Sequence, residues 1–107
     1  MGALAATRRI RVAIIRATRA RIRQDQGDLL GALEDITFAI EWAGRQTPVD
    51  ERSVAIWRAT RAGIRRLQGD SKGACLDVTS SIGWAERQTR PPQDLLLRWH
   101  VIREGAC

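Results

Sequence analysis

Arginine is the residue through which this chain could do chemistry. Arg9, Arg16, Arg19 and Arg23 are spaced 7, 3 and 4 apart, which on a helix places them within about 100° of one another. Arg58, Arg61 and Arg65 repeat the pattern farther along. A guanidinium is a planar fork of donors that holds a carboxylate or a phosphate through two parallel hydrogen bonds. Two arrangements follow. In one, Arg16, Arg19, Arg23, Arg58, Arg61 and Arg65 face outward as an anion-binding strip for an acidic peptide, a phosphate or a nucleic acid. In the other they are neutralised within the fold by Asp28, Asp35, Glu41, Asp70 and Asp77. The second is favoured, because several of these acids recur with the same spacing as the arginines, and charge sets that recur together usually satisfy each other.

Other reactive side chains are sparse. His100 is the only histidine, so a histidine-paired nucleophile could be assembled only at the C-terminal end, and neither cysteine has a metal-ligand spacing with it. The carboxylates mostly fall at expected helix starts, where capping accounts for them. The expectation is a protein without catalytic residues, cofactor or metal. Cys75 and Cys107 are too few for a disulfide framework, and Cys75 falls in a helical stretch where any small apolar residue would serve. A reducing, cytoplasmic setting is therefore expected. No run approaches the ~18 apolar residues of a membrane span, so no membrane partner is expected.

The elements that position these residues must come from one domain, since 107 residues suffice for a single core. The net charge is +6 and the pI about 11.1, carried almost wholly by arginine, with Lys72 the only lysine. That balance favours acidic partners without specifying nucleic acid. The first 24 residues hold several arginines and no acid, a superficial likeness to an organellar targeting peptide. An internal repeat claims most of the same residues.

Ile14 to Asp28 reads IIRATRARIRQDQGD and Ile56 to Asp70 reads IWRATRAGIRRLQGD, a period of 42. The match continues through Gly31-Ala32 and Gly73-Ala74, Asp35 and Asp77, Ile40 and Ile82, and Trp42-Ala43 and Trp84-Ala85. Roughly two-thirds of positions from Val12 to Thr47 are identical to their counterparts, far beyond shared helical composition. A third copy starts, with Trp99 and Arg103 one period after Trp57 and Arg61, and supplies a lone helix of the kind that covers the last apolar face of a repeat array.

The punctuation is helical. Gly27-Asp28 and Gly69-Asp70 offer a glycine for the left-handed C′ position and an aspartate to cap the next helix. Thr47-Pro48-Val49-Asp50 suits a helix start with threonine as N-cap and proline at N1, and Arg90-Pro91-Pro92 breaks the chain before the last helix. Helices are expected at about 5–26, 28–45, 49–68, 70–88 and 93–104. They divide the single domain (1–107) into repeat one (about 5–47), repeat two (about 48–89) and a capping helix (about 92–104). Ala13, Ala17 and Ala20 form a small-residue seam for close antiparallel packing, and Leu29, Ala32, Leu33, Ile36, Ala39, Ile40 and Ala43 follow the 3, 4 spacing of its partner.

Arg61-Ala62 ahead of Gly69-Asp70, then Ala74 and Asp77, resemble the tetratricopeptide repeat, as do Arg19-Ala20, Gly27-Asp28, Ala32, Asp35 and Ala39-Ile40-Glu41. The resemblance covers about residues 12 to 104. It departs in its period, 42 against the family's 34, making it a long-period variant, and in the arginines at 16, 23, 58 and 65, where the family generally places aromatics. The resemblance implies an all-α, right-handed α-solenoid of two helix-turn-helix repeats plus a C-terminal capping helix, with first helices lining a concave groove that holds a peptide or partner protein. The groove positions it implies are Ile14, Ala17, Arg21 and Gln24 in the first copy and Ile56, Ala59, Gly63 and Arg66 in the second. Their mix of apolar and basic side chains suits an acidic, partly apolar segment or a partner helix.

Trp42 and Trp57 are 15 apart, as are Trp84 and Trp99, and are expected to meet across unit boundaries with their indole N–H groups near the wet edge; base stacking would need them exposed beside the arginines. The favoured function is a non-enzymatic interaction or scaffold module for an acidic peptide or protein. Self-assembly by end-to-end stacking into a homo-oligomer is one alternative, and nucleic-acid binding through the arginine ladder is another.

Overall fold

Five α-helices and no strand make up residues 3–107, which the computed structural model describes, with side chains from Arg9 onward. They are α1 (Ala3–Asp25), α2 (Leu29–Gly44), α3 (Glu51–Leu67), α4 (Ser71–Glu86) and α5 (Gln93–Ala106). Each lies within about two residues of its expected span. The chain pairs α1 with α2 and α3 with α4 as hairpins, packs α3 on α2, and lays α5 along α4 and α3. α1 takes in the arginine-rich stretch from Ala3 onward; residues 1 and 2 lie outside the described residues.

The two hairpin turns have the same geometry because the same residues dictate it. Gly27 and Gly69 both have φ of 82°, a left-handed conformation in which any Cβ costs energy. The Asp28 amide donates to the Arg23 carbonyl at 2.8 Å and the Gly27 amide to Gln24 at 3.1 Å; Asp70 to Arg65 and Gly69 to Arg66 reproduce both distances. These paired bonds satisfy the carbonyls that a helix end leaves open. The aspartate that follows then caps the next helix, the carboxylates of Asp28 and Asp70 accepting from the amides of Gly31 and Gly73.

The start of α3 corrects one expectation. Thr47 and Pro48 precede the helix, and Asp50 is its N-cap, accepting from the Ser53 amide at 3.2 Å. The residues from Arg45 to Val49 are consumed in turning the chain between hairpins, and a carboxylate three residues ahead of the Ser53 amide caps as its counterparts Asp28 and Asp70 do.

The alanine seams pack as expected. Ala13, Ala17 and Ala20 of α1 are buried against Ala32, Ile36, Ala39 and Ile40 of α2, and Ala55, Ala59 and Ala62 of α3 against Ala74, Val78, Ile82 and Ala85 of α4. Small side chains let helix axes approach closely, at the cost of a core that contains few large residues. Large apolar groups enter between hairpins: Ile64 is fully buried in the first core cluster and Trp99 is nearly so in the second. Among the described residues no hairpin packs on the same positions of α1. Ile22, the counterpart of Ile64, is 52% exposed, and Ile15, the counterpart of Trp57 and Trp99, is 63% exposed.

Trp42 and Trp57 pack on the first cluster, Trp84 and Trp99 on the second. Trp42 departs from expectation in one respect, since its indole N–H is buried without a partner rather than at a wet edge. The cysteines depart more fundamentally. Cys75 and Cys107 are bonded to each other, with Cα atoms 5.2 Å apart, because α5 folds back along α4 and delivers the last residue to the second turn of that helix. The cysteine count therefore offers no support for a reducing compartment. No described helix is long and apolar enough to cross a membrane.

Candidate interaction groove

The arginine ladder is engaged within the fold. Asp35 is fully buried on α2 and faces three arginines of α1. Arg19 donates to it through Nε at 2.8 Å and Nη2 at 2.7 Å, Arg23 donates through Nη1 at 3.1 Å, and Arg16 Nε lies 2.7 Å away in an ion pair too bent for a good hydrogen bond. The Arg16 guanidinium also stacks 4.4 Å from the Phe38 ring centre. In the second unit Asp77 receives both Nε and Nη2 of Arg61 at 2.8 Å and Nη1 of Arg65 at 2.8 Å. Arg58 departs from the pattern and donates to the Ser80 hydroxyl at 2.8 Å. Thus five of the six ladder arginines meet carboxylates and the sixth meets a hydroxyl.

The remaining acids take part as well. The capping aspartates Asp28 and Asp70 sit 3.6 and 3.8 Å from Arg23 and Arg65, and Glu41 sits 3.6 Å from Arg45. Hydrogen bonds from Arg19 hold the Asp35 carboxyl below the ordinary carboxylate range, against the opposing pull of burial, with the positive fields of Arg19, Arg23 and Arg16 adding to the effect. The same hydrogen bonding raises Arg19. A buried carboxylate that gathers a row of guanidiniums fixes the angle between the two helices of a hairpin.

The other side of α1 and α3 is different. A groove runs along α1, α3 and α5, made of a hollow of about 300 Å³ that adjoins a smaller one of about 150 Å³. Ile14, Ala17, Thr18 and Arg21 of α1 line the smaller hollow with Ile56, Trp57 and Thr60 of α3. Arg21 and Gln24 continue into the larger one, where they meet Ile56, Ala59, Thr60 and Gly63 of α3 and Leu95, Arg98, Trp99 and Ile102 of α5. Its floor is apolar and its rim basic. Among the described residues neither Arg21 nor Arg98 lies within ion-pair distance of a carboxylate. At Gly63, midway along, a Cβ would make ordinary van der Waals contact with Gln24 Nε2 at 3.5 Å.

No family model, curated protein or solved structure matches the chain.

Of the residues that sequence reasoning assigned to a groove, Ile14, Ala17, Arg21, Gln24, Ile56, Ala59 and Gly63 line the two hollows. Arg66 does not; its guanidinium lies over Gly105 at the end of α5, 2.5 Å from where a Cβ would stand. The third wall, Leu95, Arg98, Trp99 and Ile102, was missed. The signal was present, because Arg98 and Ile102 fall one 42-residue period after Ile56 and Thr60, so α5 repeats the groove face as well as capping the array. His100 lies outside the groove, with its Nδ1 3.1 Å from Arg103 Nη2.

Proposed function

We propose that the chain is a non-enzymatic interaction module of tetratricopeptide type, a short right-handed solenoid whose first-helix groove holds an acidic, partly apolar segment of a peptide or partner protein. The observation that carries this reading is the division of labour among the arginines. Those facing the second helices are held within the fold, five by carboxylates and Arg58 by the Ser80 hydroxyl, whereas Arg21 and Arg98 flank an apolar floor with no acid opposite among the described residues. A guanidinium left over an apolar groove gains a charge-assisted bond when a carboxylate arrives, and the floor of Ile56, Leu95 and Ile102 gains burial.

The test is selection of peptides from a random display library on the immobilised protein. Selected sequences are expected to interleave Asp or Glu with apolar residues. Their affinity should fall about tenfold or more for the Arg21→Glu/Arg98→Glu protein, because each opposed charge pair is worth roughly 1 kcal/mol or more once partly desolvated. Selection without acidic enrichment, or equal binding by the variant, would refute the proposal.

A second reading, self-assembly, has its own support in the uncovered face of α1. Ile15 and Ile22 are exposed where Trp57 and Ile64 are covered by the preceding hairpin, so one molecule's α1 is a surface on which another could stack. Sedimentation that grows with concentration and reverts to a monomer in Ile15→Asp/Ile22→Asp would support it; a monomer at all concentrations would remove it. The polyanion reading loses its motive, because the ladder that suggested it is occupied by Asp35, Asp77 and Ser80.

A further inference from the structure

The duplication makes repeat one an internal reference for repeat two, and two of their differences fall at one place. Phe38 of the first unit is replaced by Ser80 in the second, and Glu41 by Gly83. Each difference removes the partner of an arginine. In the first unit Arg16 is held by Asp35 and the Phe38 ring, and Arg45 by Glu41 at 3.6 Å. In the second, Arg58 has turned from Asp77 to the Ser80 hydroxyl, and Arg87 folds back over Gly83, its Nη1 3.3 Å from where a Cβ would stand. Among the described residues neither Arg58 nor Arg87 has a carboxylate within ion-pair distance. Both line the same cleft of about 240 Å³ between α3, α4 and the loop after α2, whose apolar wall is Trp84, Val54 and Val49.

We infer that this cleft is a binding site for a small organic oxyanion, a carboxylate or phosphate monoester carried on a compact apolar body. Two guanidiniums and a hydroxyl converge to grip the anion, and Trp84 and the valines cover the remainder. The volume lies below the ~300–1,000 Å³ of drug-sized sites, which limits the ligand to about the size of a single ring. Glu51 also lines the cleft, a single carboxylate against the two guanidiniums. The site is independent of the proposed groove, which lies on the flank of α3 that faces α1 and α5.

Benzoate, phenyl phosphate, inorganic phosphate and benzyl alcohol titrated into the isotopically labelled protein at constant ionic strength provide the test. The readouts are the indole N–H signal of Trp84 and the Nε–H signals of Arg58 and Arg87. Benzoate and phenyl phosphate should give saturable shifts and benzyl alcohol none. The Ser80→Phe/Gly83→Glu protein, which restores the residues of repeat one, should lose saturation. The surface variant Arg87→Gln, whose fold is not at stake, should bind about tenfold more weakly, as loss of one charge-assisted pair requires. Arg21→Glu/Arg98→Glu should bind benzoate as the parent protein does, so failure of the groove proposal leaves this one standing. Shifts that rise linearly, that persist unchanged in both cleft variants, or that inorganic phosphate produces as tightly as phenyl phosphate would overturn it.

Discussion

Replacing Asp35 by asparagine keeps the volume of the side chain and removes the charge on which three arginines converge. Three hydrogen bonds from guanidiniums to this carboxylate, at 2.8, 2.7 and 3.1 Å, are each of the charge-assisted kind, worth ~1.5–3 kcal/mol. Breaking a buried pair by removing one partner costs ~3–5 kcal/mol when the survivor stays buried. Here the survivors do not stay buried: the side chains of Arg16, Arg19 and Arg23 are 31%, 47% and 31% exposed, and water takes up part of the loss. The expected cost is about 2–4 kcal/mol, a large share of the ~5–15 kcal/mol of a typical domain. It corresponds to a fall of roughly 10–25 °C in melting temperature for a domain of this size. Urea unfolding followed by far-ultraviolet circular dichroism measures it, with Asp25→Asn, on the exposed end of α1, as the control for net charge. A change within ~0.5 kcal/mol of the parent, the range of ordinary surface substitutions, would refute the reasoning.

Acid titration supplies a related check. Because Asp35 holds its proton less readily folded than unfolded, its contribution is complete above the unfolded value of ~3.9 and is lost as the pH falls from there through the folded value. The acid limb of the stability profile should be shallower in Asp35→Asn, as urea midpoints between pH 2 and 6 would show. Reduction of the Cys75–Cys107 bond, which closes a loop of 32 residues, should cost about 3–4 kcal/mol by the loop-entropy relation; unchanged urea midpoints with and without reductant would contradict this. Gly69→Ala should lose ~1 kcal/mol or more, because alanine must adopt a φ of 82°; equal stability by calorimetry would mean that the turn relaxes. Ile64→Ala should cost ~2–5 kcal/mol and its counterpart Ile22→Ala well under 1, and equal losses in denaturant titrations would contradict the uncovered end of α1.

Much of this fold was legible because its signals are local and occur twice. The glycine-aspartate pairs determine both ends of each hairpin turn within a few residues, and the shared period of the arginines and of acids such as Asp35 and Asp77 favoured pairing within the fold without saying which arginine meets which acid. What stayed hidden depends on long-range placement. A pair of cysteines 32 residues apart says nothing about bonding until α5 is known to fold back on α4. Ile22 and Ile64 are the same residue in the same motif, and only the presence of a preceding hairpin buries one and exposes the other. Arg66 reads as a groove residue by its register, yet Gly105 gives its long side chain a surface to lie on. Asp50 displaced Thr47 as N-cap because the length of the connecting turn is a tertiary quantity.

The claim on which the functional reading depends is that the arginines divide into a structural set and a receptive set. It is tested most directly by measuring thermal stability together with affinity for one selected acidic peptide in Arg61→Gln and in Arg21→Gln/Arg98→Gln. The account predicts that Arg61→Gln lowers the melting temperature while the folded protein binds as before, and that the groove variant melts like the parent and binds about tenfold more weakly. The reverse, with Arg61 governing affinity and Arg21 and Arg98 governing stability, would contradict it.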